Sequence, residues 1–177
     1  KKSSTKFMAV RFGNVLGSRG SVIPIFLNQA KQNQHLTVTD SEMTRFIMTI
    51  QEAAHLTLKA AFYANKGETF ILRMKALRIS TLLEAIKQFC RNKKLAPPKI
   101  KQIGTRPGEK IHEELMTPEE MSQALEDDEL YVLLPSRFSR SFRHFERVRT
   151  SAYRSDLVDE LSASELLQYL YEIDSGK

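Results

Sequence analysis

The run Arg106-Pro107-Gly108-Glu109-Lys110 holds an arginine just ahead of a Pro-Gly turn. A planar fork of donors on a rigid turn suits two-pronged capture of a phosphate. A solvated turn with an Arg–Glu surface pair uses the same residues. Arg45, in EMTRF, is either an ordinary surface charge or, if its loop converges with that of Arg106, the second arm of a clamp on one diphosphate. Upstream, RFGNVLGSRGSVIPIF (Arg11 to Phe26) is rich in Gly, Asn and Ser and then turns apolar around Pro24. Its spacing is neither G-x-G-x-x-G nor a P-loop, because no Lys-Ser/Thr pair follows. Asn14, directly after a strand-like segment, can donate to a ligand oxygen or cap its own turn. Ser18, Gly20 and Ser21 form a loop, and Val22-Ile23-Pro24 presents apolar edges against which a flat ring can lie.

Other chemistries find less support. His35, His55, His112 and His144 are scattered, without the spacing of zinc ligands, so no metal site is expected. The single cysteine, Cys90, lies in a helical pattern and reads as a buried apolar residue; it excludes an internal disulfide. The acidic pairs Glu113-Glu114, Glu119-Glu120 and Asp127-Asp128 read as neighbours on helices, hence solvated surface. Ser136 to Arg154 contains six Arg and one Glu, so it carries +5 of the formal +6. The protein is thus a nearly neutral domain with one basic segment, interleaved with Phe138, Phe142, Phe145 and Tyr153. That segment can pack on a partner or over a site, lie along a membrane surface, or stack on single-stranded nucleic acid, for which it lacks any established signature.

The elements that must position these residues follow from periodicity and capping signals. KFMAVRFG reads as a buried strand through Phe7, Ala9, Val10 and Phe12. SVIPIFLNQAKQN reads as a helix with Val22, Ile25, Phe26 and Ala30 inward and Pro24 in its first turn. Leu36–Asp40 alternates as a strand, and MTRFIMT is a brief extended or turn segment. Capping boxes open helices at Thr49-Ile-Gln-Glu52, Thr117-Pro-Glu-Glu120 and Ser162-Ala-Ser-Glu165. Glu68–Met74, Lys99–Gly104 and ELYVLLP read as strands. Ser80 caps TLLEAIKQFCRNK, and IHEELM reads as a short helix. With 177 residues, 41% hydrophobic and 27% charged, the chain is long enough for a sizeable core, and no apolar run approaches the roughly 18 residues of a membrane span. The alternation of about four strands with five helices points to an α/β or α+β chain that resembles the second half of something larger.

Taken in order, RFGNVLGSRGSVIPIF, LTVTDSEMTRFIMT, MKALRIS, GTRPGEKIHEELMTPEE and ELYVLLP resemble the C-terminal half of the CapD-like polysaccharide biosynthesis proteins. These are nucleotide-sugar 4,6-dehydratases and epimerases of the extended short-chain dehydrogenase/reductase superfamily. The resemblance is close over about residues 6 to 135 and continues weakly into SDLVDELSASELLQYL. It implies an α/β fold, the substrate-binding part of an extended Rossmann-type enzyme, with 1–135 as the nucleotide-sugar-binding half, 136–154 as a basic aromatic arm and 155–177 as a closing helix.

The resemblance also implies roles. Asn14 would contact the sugar or its phosphates; Ser21, Val22 and Pro24 would line the wall by the uridine; Thr37 and Thr39 would lie near the uracil. Arg45 and Arg106 would bind the diphosphate, and Glu109 would approach the ribose hydroxyls. UDP-N-acetylglucosamine is the expected substrate. NAD(P) is expected in the full-length enzyme and not in this chain, whose five tyrosines include none with Lys four residues on and which has no glycine-rich dinucleotide turn. The chain is therefore expected to begin after the catalytic half, to lack catalytic residues and to be inactive alone. The expected partners are a UDP-sugar, the missing N-terminal Rossmann half and, at full length, further copies of the enzyme. A non-catalytic sugar-nucleotide-binding remnant is the alternative reading. A cytoplasmic location is expected, with the inner face of the membrane as a neighbouring site because such polymers are assembled there.

Overall fold

The computed structural model describes residues 5–18, 20–65, 67–135, 142 and 144–176. The first half runs β1 (Ala9–Arg11), β2 (Asn14–Val15), α1 (Val22–Lys31), β3 (Leu36–Val38), β4 (Thr44–Met48), α2 (Ile50–Tyr63), β5 (Thr69–Leu72) and β6 (Lys75–Arg78). The second runs α3 (Ile79–Asn92), β7 (Ile100–Gln102), β8 (Glu114–Met116), α4 (Pro118–Gln123), β9 (Leu125–Glu126), β10 (Leu130–Leu133), β11 (Glu146–Arg147), β12 (Tyr153–Arg154) and α5 (Ala163–Asp174). The fold is mixed α/β, as its alternating patterns require. A five-stranded sheet has the order β1-β5-β10-β9-β11, a three-stranded sheet the order β2-β4-β6, and β3-β7 and β12-β8 form two-stranded pairs.

Strand β4 divides two cores. Side chains alternate along a strand, so Phe46 and Met48 enter one core while Ile47 enters the other. The core on the Ile47 side gathers α1, α3 and α5 over Leu36, Val38 and Leu77. The core on the Phe46 side packs α2 and α4 on β5, β10 and Tyr153. Tyr153 fastens that second core: its hydroxyl donates to the Leu72 carbonyl at 2.8 Å and accepts from the Met74 N–H at 2.7 Å. Burial pushes that phenol far above its ordinary pKa, which keeps it neutral and able to donate.

The three expected capping boxes form at Thr49/Glu52, Thr117/Glu120 and Ser162/Glu165. Several expectations give way. The strand over KFMAVRFG is short and pairs through β5 alone among the described residues, with Phe7 and Phe12 74% and 43% exposed. On α1 the inward face is Ile23, Phe26, Leu27 and Ala30, a clean i, i+3, i+4, i+7 stripe, and Ile25 points out. Ser80 lies inside α3, whose N-cap is Arg78. IHEELM is not a helix: Glu114–Met116 pairs antiparallel with β12, so pairing with a strand distant in sequence overrides the helical preference of Glu, Leu and Met.

With IHEELM extended, Glu113 and Glu114 point to opposite faces, and the acidic pairs are not uniformly solvated. Glu113 accepts the Phe46 N–H, Glu120 forks onto Arg11 at 2.8 Å through both oxygens, and Asp127 holds Lys59 at 2.9 Å. The basic segment lies partly outside the described residues, including Arg137, Phe138, Arg140 and Arg143. Within them, Phe142 and Phe145 pack against the second core and Tyr153 is buried in it, so these rings are not splayed for stacking on bases.

Candidate functional site

A cavity of about 520 Å³ opens where the N-terminus of α1, the end of β2, the exit of β3 and the first half of β4 meet. The alternation that divides the cores also builds this site. Arg45 and Ile47 share the β4 face that lines the cavity. Thr44, on the opposite face, is fully buried and bonds His112 and Ser155 at 2.8 and 2.7 Å.

Asn14, Ser21, Val22, Thr37, Thr39, Arg45 and Glu109 all line this one cavity. The structure therefore brings together seven candidates that run from Asn14 to Glu109 in the chain. Pro24 and Arg106 do not line it: Pro24 sits in the first turn of α1, and Arg106 is exposed. Asp40 and Met43 are on the wall as well. Asp40 ends the LTVTD run that also carries Thr37 and Thr39, but has no sequence signal of its own. Glu113, behind Arg45, gave no usable signal because its segment reads as helical.

The N-terminus of α1 is open. Ser21 is its N-cap with extended backbone, yet its side chain makes no capping bond, and no acidic residue occupies the first turn. Its Oγ is buried and has no hydrogen-bond partner among the described residues. Unpaired N–H groups and the positive end of the helix dipole at such a terminus favour an anion. A buried, unpartnered hydroxyl beside them costs free energy unless a ligand engages it.

Arg45 is half committed. Nη1 donates to the carbonyls of Thr44 and Ile111 at 2.8 and 3.0 Å, and Nε lies 3.6 Å from Glu113 Oε1. Nη2 donates to Met43 Sδ at 3.4 Å, a weak acceptor, and lies 4.0 Å from Glu109 Oε1. The guanidinium therefore offers one nitrogen to a ligand and not its whole fork. Glu113 pays for its position: burial pushes its carboxyl above the usual range, and the Phe46 N–H and Arg45 offset this only in part.

Glu109 ties the Arg106 loop to the same wall. Its N–H donates to the Arg106 carbonyl at 3.0 Å, and its Oε2 accepts the Arg106 N–H at 3.1 Å. Pro107 and Gly108, with φ +81°, fill the two central positions of the turn, as a type II geometry demands. The Arg106 guanidinium has no partner among the described residues.

A cleft of about 550 Å³ shares Leu16 and Ile47 with this cavity, but its cations Arg73 and Lys75 are already paired with Glu126 and Glu165. Among the described residues no three His, Cys, Asp or Glu side chains cluster as metal ligands would, and no helix is long and apolar enough to cross a membrane.

Known proteins resemble this chain in sequence, and a solved structure also in fold. An uncharacterized membrane protein of Methanocaldococcus jannaschii is 45% identical over 76% of this chain and 41% of its own. The UDP-glucose 4-epimerase of Rickettsia bellii is 36% identical over 98% of this chain and 51% of its own. The capsular polysaccharide biosynthesis protein CapD of Staphylococcus aureus is 40% identical over 94% and 26%. Among solved structures, Pen from Bacillus thuringiensis superposes with a TM-score of 0.85 at 41% identity, over 98% of this chain and 51% of that one. The chain thus spans about half the length of these relatives, or less. Residues 1–135 match the family model for polysaccharide biosynthesis proteins, and the chain belongs to that family.

Proposed function

We propose that this chain is the substrate-holding part of a UDP-sugar epimerase or 4,6-dehydratase of surface polysaccharide synthesis, with UDP-N-acetylglucosamine as its ligand. One observation carries the reading: the unpartnered Ser21 Oγ, the open α1 terminus and the Arg45 Nη2, held only by a weak sulfur acceptor, line one cavity. Together they favour a diphosphate more than any neutral ligand. Asn14 would hold the sugar, Val22 the uridine side, Thr37 and Thr39 the base, and Glu109 the ribose hydroxyls, while Pro24 would act only through the first turn of α1.

Residues 1–135 would form this binding half, and 155–177 the closing part, whose helix α5 packs on α3. The chemistry of such enzymes is hydride transfer through NAD(P). The chain has no Tyr-x-x-x-Lys pair or glycine-rich dinucleotide turn, so its residues do not fit that cofactor and no hydride step is derived from them. The full-length enzyme would take up NAD(P) through polypeptide outside this chain, act in the cytoplasm and assemble with further copies. Alone, this chain binds and does not turn over.

Calorimetric titration of the chain with UDP-N-acetylglucosamine, beside Ser21→Ala and Arg45→Ala, tests the reading. Saturable binding that weakens in both variants supports it. Binding that both variants leave untouched, or none by the unaltered chain, refutes a diphosphate site built from these residues.

A further inference from the structure

The described wall of the cavity that suits an anion carries more negative than positive charge. Among the described residues its ionisable wall groups are Arg45, Asp40 and Glu109, one cation against two carboxylates. A carboxylate beside a diphosphate opposes binding unless the ligand brings it a hydrogen-bond donor. Glu109 already accepts from the Arg106 N–H and lies near Arg45. Asp40 accepts through Oδ1 from the Glu42 N–H at 2.8 Å, and its second oxygen has no partner among the described residues. It directly follows Thr39, at the exit of β3. The Glu42 bond closes a local turn and fixes the carboxylate, so its free oxygen is a preorganised acceptor on the wall.

We propose that Asp40 selects the base of the bound nucleotide by accepting the N3–H of uracil. This rests on the UDP-sugar reading and adds the residue that enforces it. Uracil carries a donor at N3. Cytosine carries a lone pair there, and a fixed carboxylate opposite it sets lone pair against lone pair. A site whose polar group is left unpaired by the wrong ligand rejects that ligand by orders of magnitude. Asp40 therefore excludes cytidine nucleotides, while the diphosphate end of the cavity treats both alike.

The test titrates the whole chain with UDP, CDP and UDP methylated at uracil N3, against the unaltered protein and Asp40→Asn. The unaltered protein should hold UDP about 100-fold more tightly than either other ligand. Asp40→Asn keeps an acceptor for the Glu42 N–H and gains an amide able to donate to cytosine N3; it should shrink the UDP/CDP gap to about fivefold or less. Equal binding of UDP and CDP by the unaltered protein, or an undiminished gap in Asp40→Asn, overturns the proposal and leaves the diphosphate site standing. Binding of none of the three overturns both. The N3-methyl comparison needs no variant, so the proposal stays refutable even if Asp40→Asn fails to fold.

Discussion

Glu113 holds Arg45 to the strand that carries it: one carboxylate oxygen lies 3.6 Å from Arg45 Nε, and the other accepts the N–H of Phe46, the next residue, at 3.1 Å. A side chain that read as surface charge thus braces the arginine of the cavity and completes the hydrogen bonding of β4.

Removing that brace separates two effects. Glu113→Ala leaves the Phe46 N–H without its acceptor and should lower stability by about 1–3 kcal/mol, whereas Glu113→Gln keeps an acceptor and should melt closer to the unaltered protein. Because burial raises the Glu113 pKa, the folded state binds its proton more tightly than the unfolded state does. The group's contribution therefore favours folding below its unfolded pKa and is lost as pH rises through the raised folded value. Denaturant melts of Glu113→Gln across pH 4 to 8 should lack that loss; a parallel pair of curves would show that burial leaves the carboxyl unperturbed.

Gly13 tests whether the site depends on close approach of β2 and β4. A Cβ at that position would come within 2.4 Å of Phe46 Cβ and 2.6 Å of its carbonyl oxygen. The obstacle is backbone, so the strands must part. Gly13→Ala should cost about 1–3 kcal/mol by overpacking and should also weaken UDP-sugar binding, because Asn14 and Arg45 sit on the separated strands. Thermal melts read the first effect and calorimetry the second; a stable variant with full affinity would show that the contact relaxes freely.

The acid limb of stability should report Glu165. Its carboxylate accepts from Lys75 Nζ at 2.8 Å and from the N–H and hydroxyl of Ser162 at 2.8 and 2.7 Å, tying α5 to β6. These donors, Lys75 first, pull its pKa down to about 2 from an ordinary 4.5. A depressed carboxyl contributes stability above its unfolded pKa that is lost as pH falls through the folded one. The unaltered protein and Glu165→Gln should differ near pH 7 and converge between about pH 4.5 and 2. A constant difference across that window would show that the amide loses geometry and not charge.

What the sequence disclosed was local. The capping boxes at Thr49, Thr117 and Ser162 are legible because donor and acceptor lie three residues apart. The Pro107-Gly108 turn is legible because its two residues set the dihedrals. What escaped depends on distant pairing. The extended state of Glu114–Met116 is set by β12, and the inward turn of Glu113 follows from it. The exposure of Phe7 and Phe12 depends on which edges β1 pairs through. Residue types alone flagged Asn14, Ser21, Val22 and Arg45, which line the cavity, and Arg106, which does not, with alternatives open; the roles of Thr37, Thr39 and Glu109 came from resemblance. No periodicity would have marked Asp40.

Arg106 poses the remaining question about the site, because its guanidinium is exposed and unpartnered among the described residues while its own backbone is clamped by Glu109. An arginine that contributes nothing to the fold is free to act on a ligand. Arg106→Ala should therefore leave the unfolding free energy, read by denaturant melts, within about 0.5 kcal/mol of the unaltered protein. If the turn closes over a bound diphosphate, the same variant should lose about 10- to 100-fold in UDP-sugar affinity, the worth of a charge-assisted hydrogen bond to a phosphate. That loss should shrink at high salt, since the arm starts from solvent. Arg45→Ala, by contrast, should lower both stability and affinity, because Nη1 holds the Thr44 and Ile111 carbonyls. Full affinity in Arg106→Ala would assign the diphosphate to Arg45 and the α1 terminus alone.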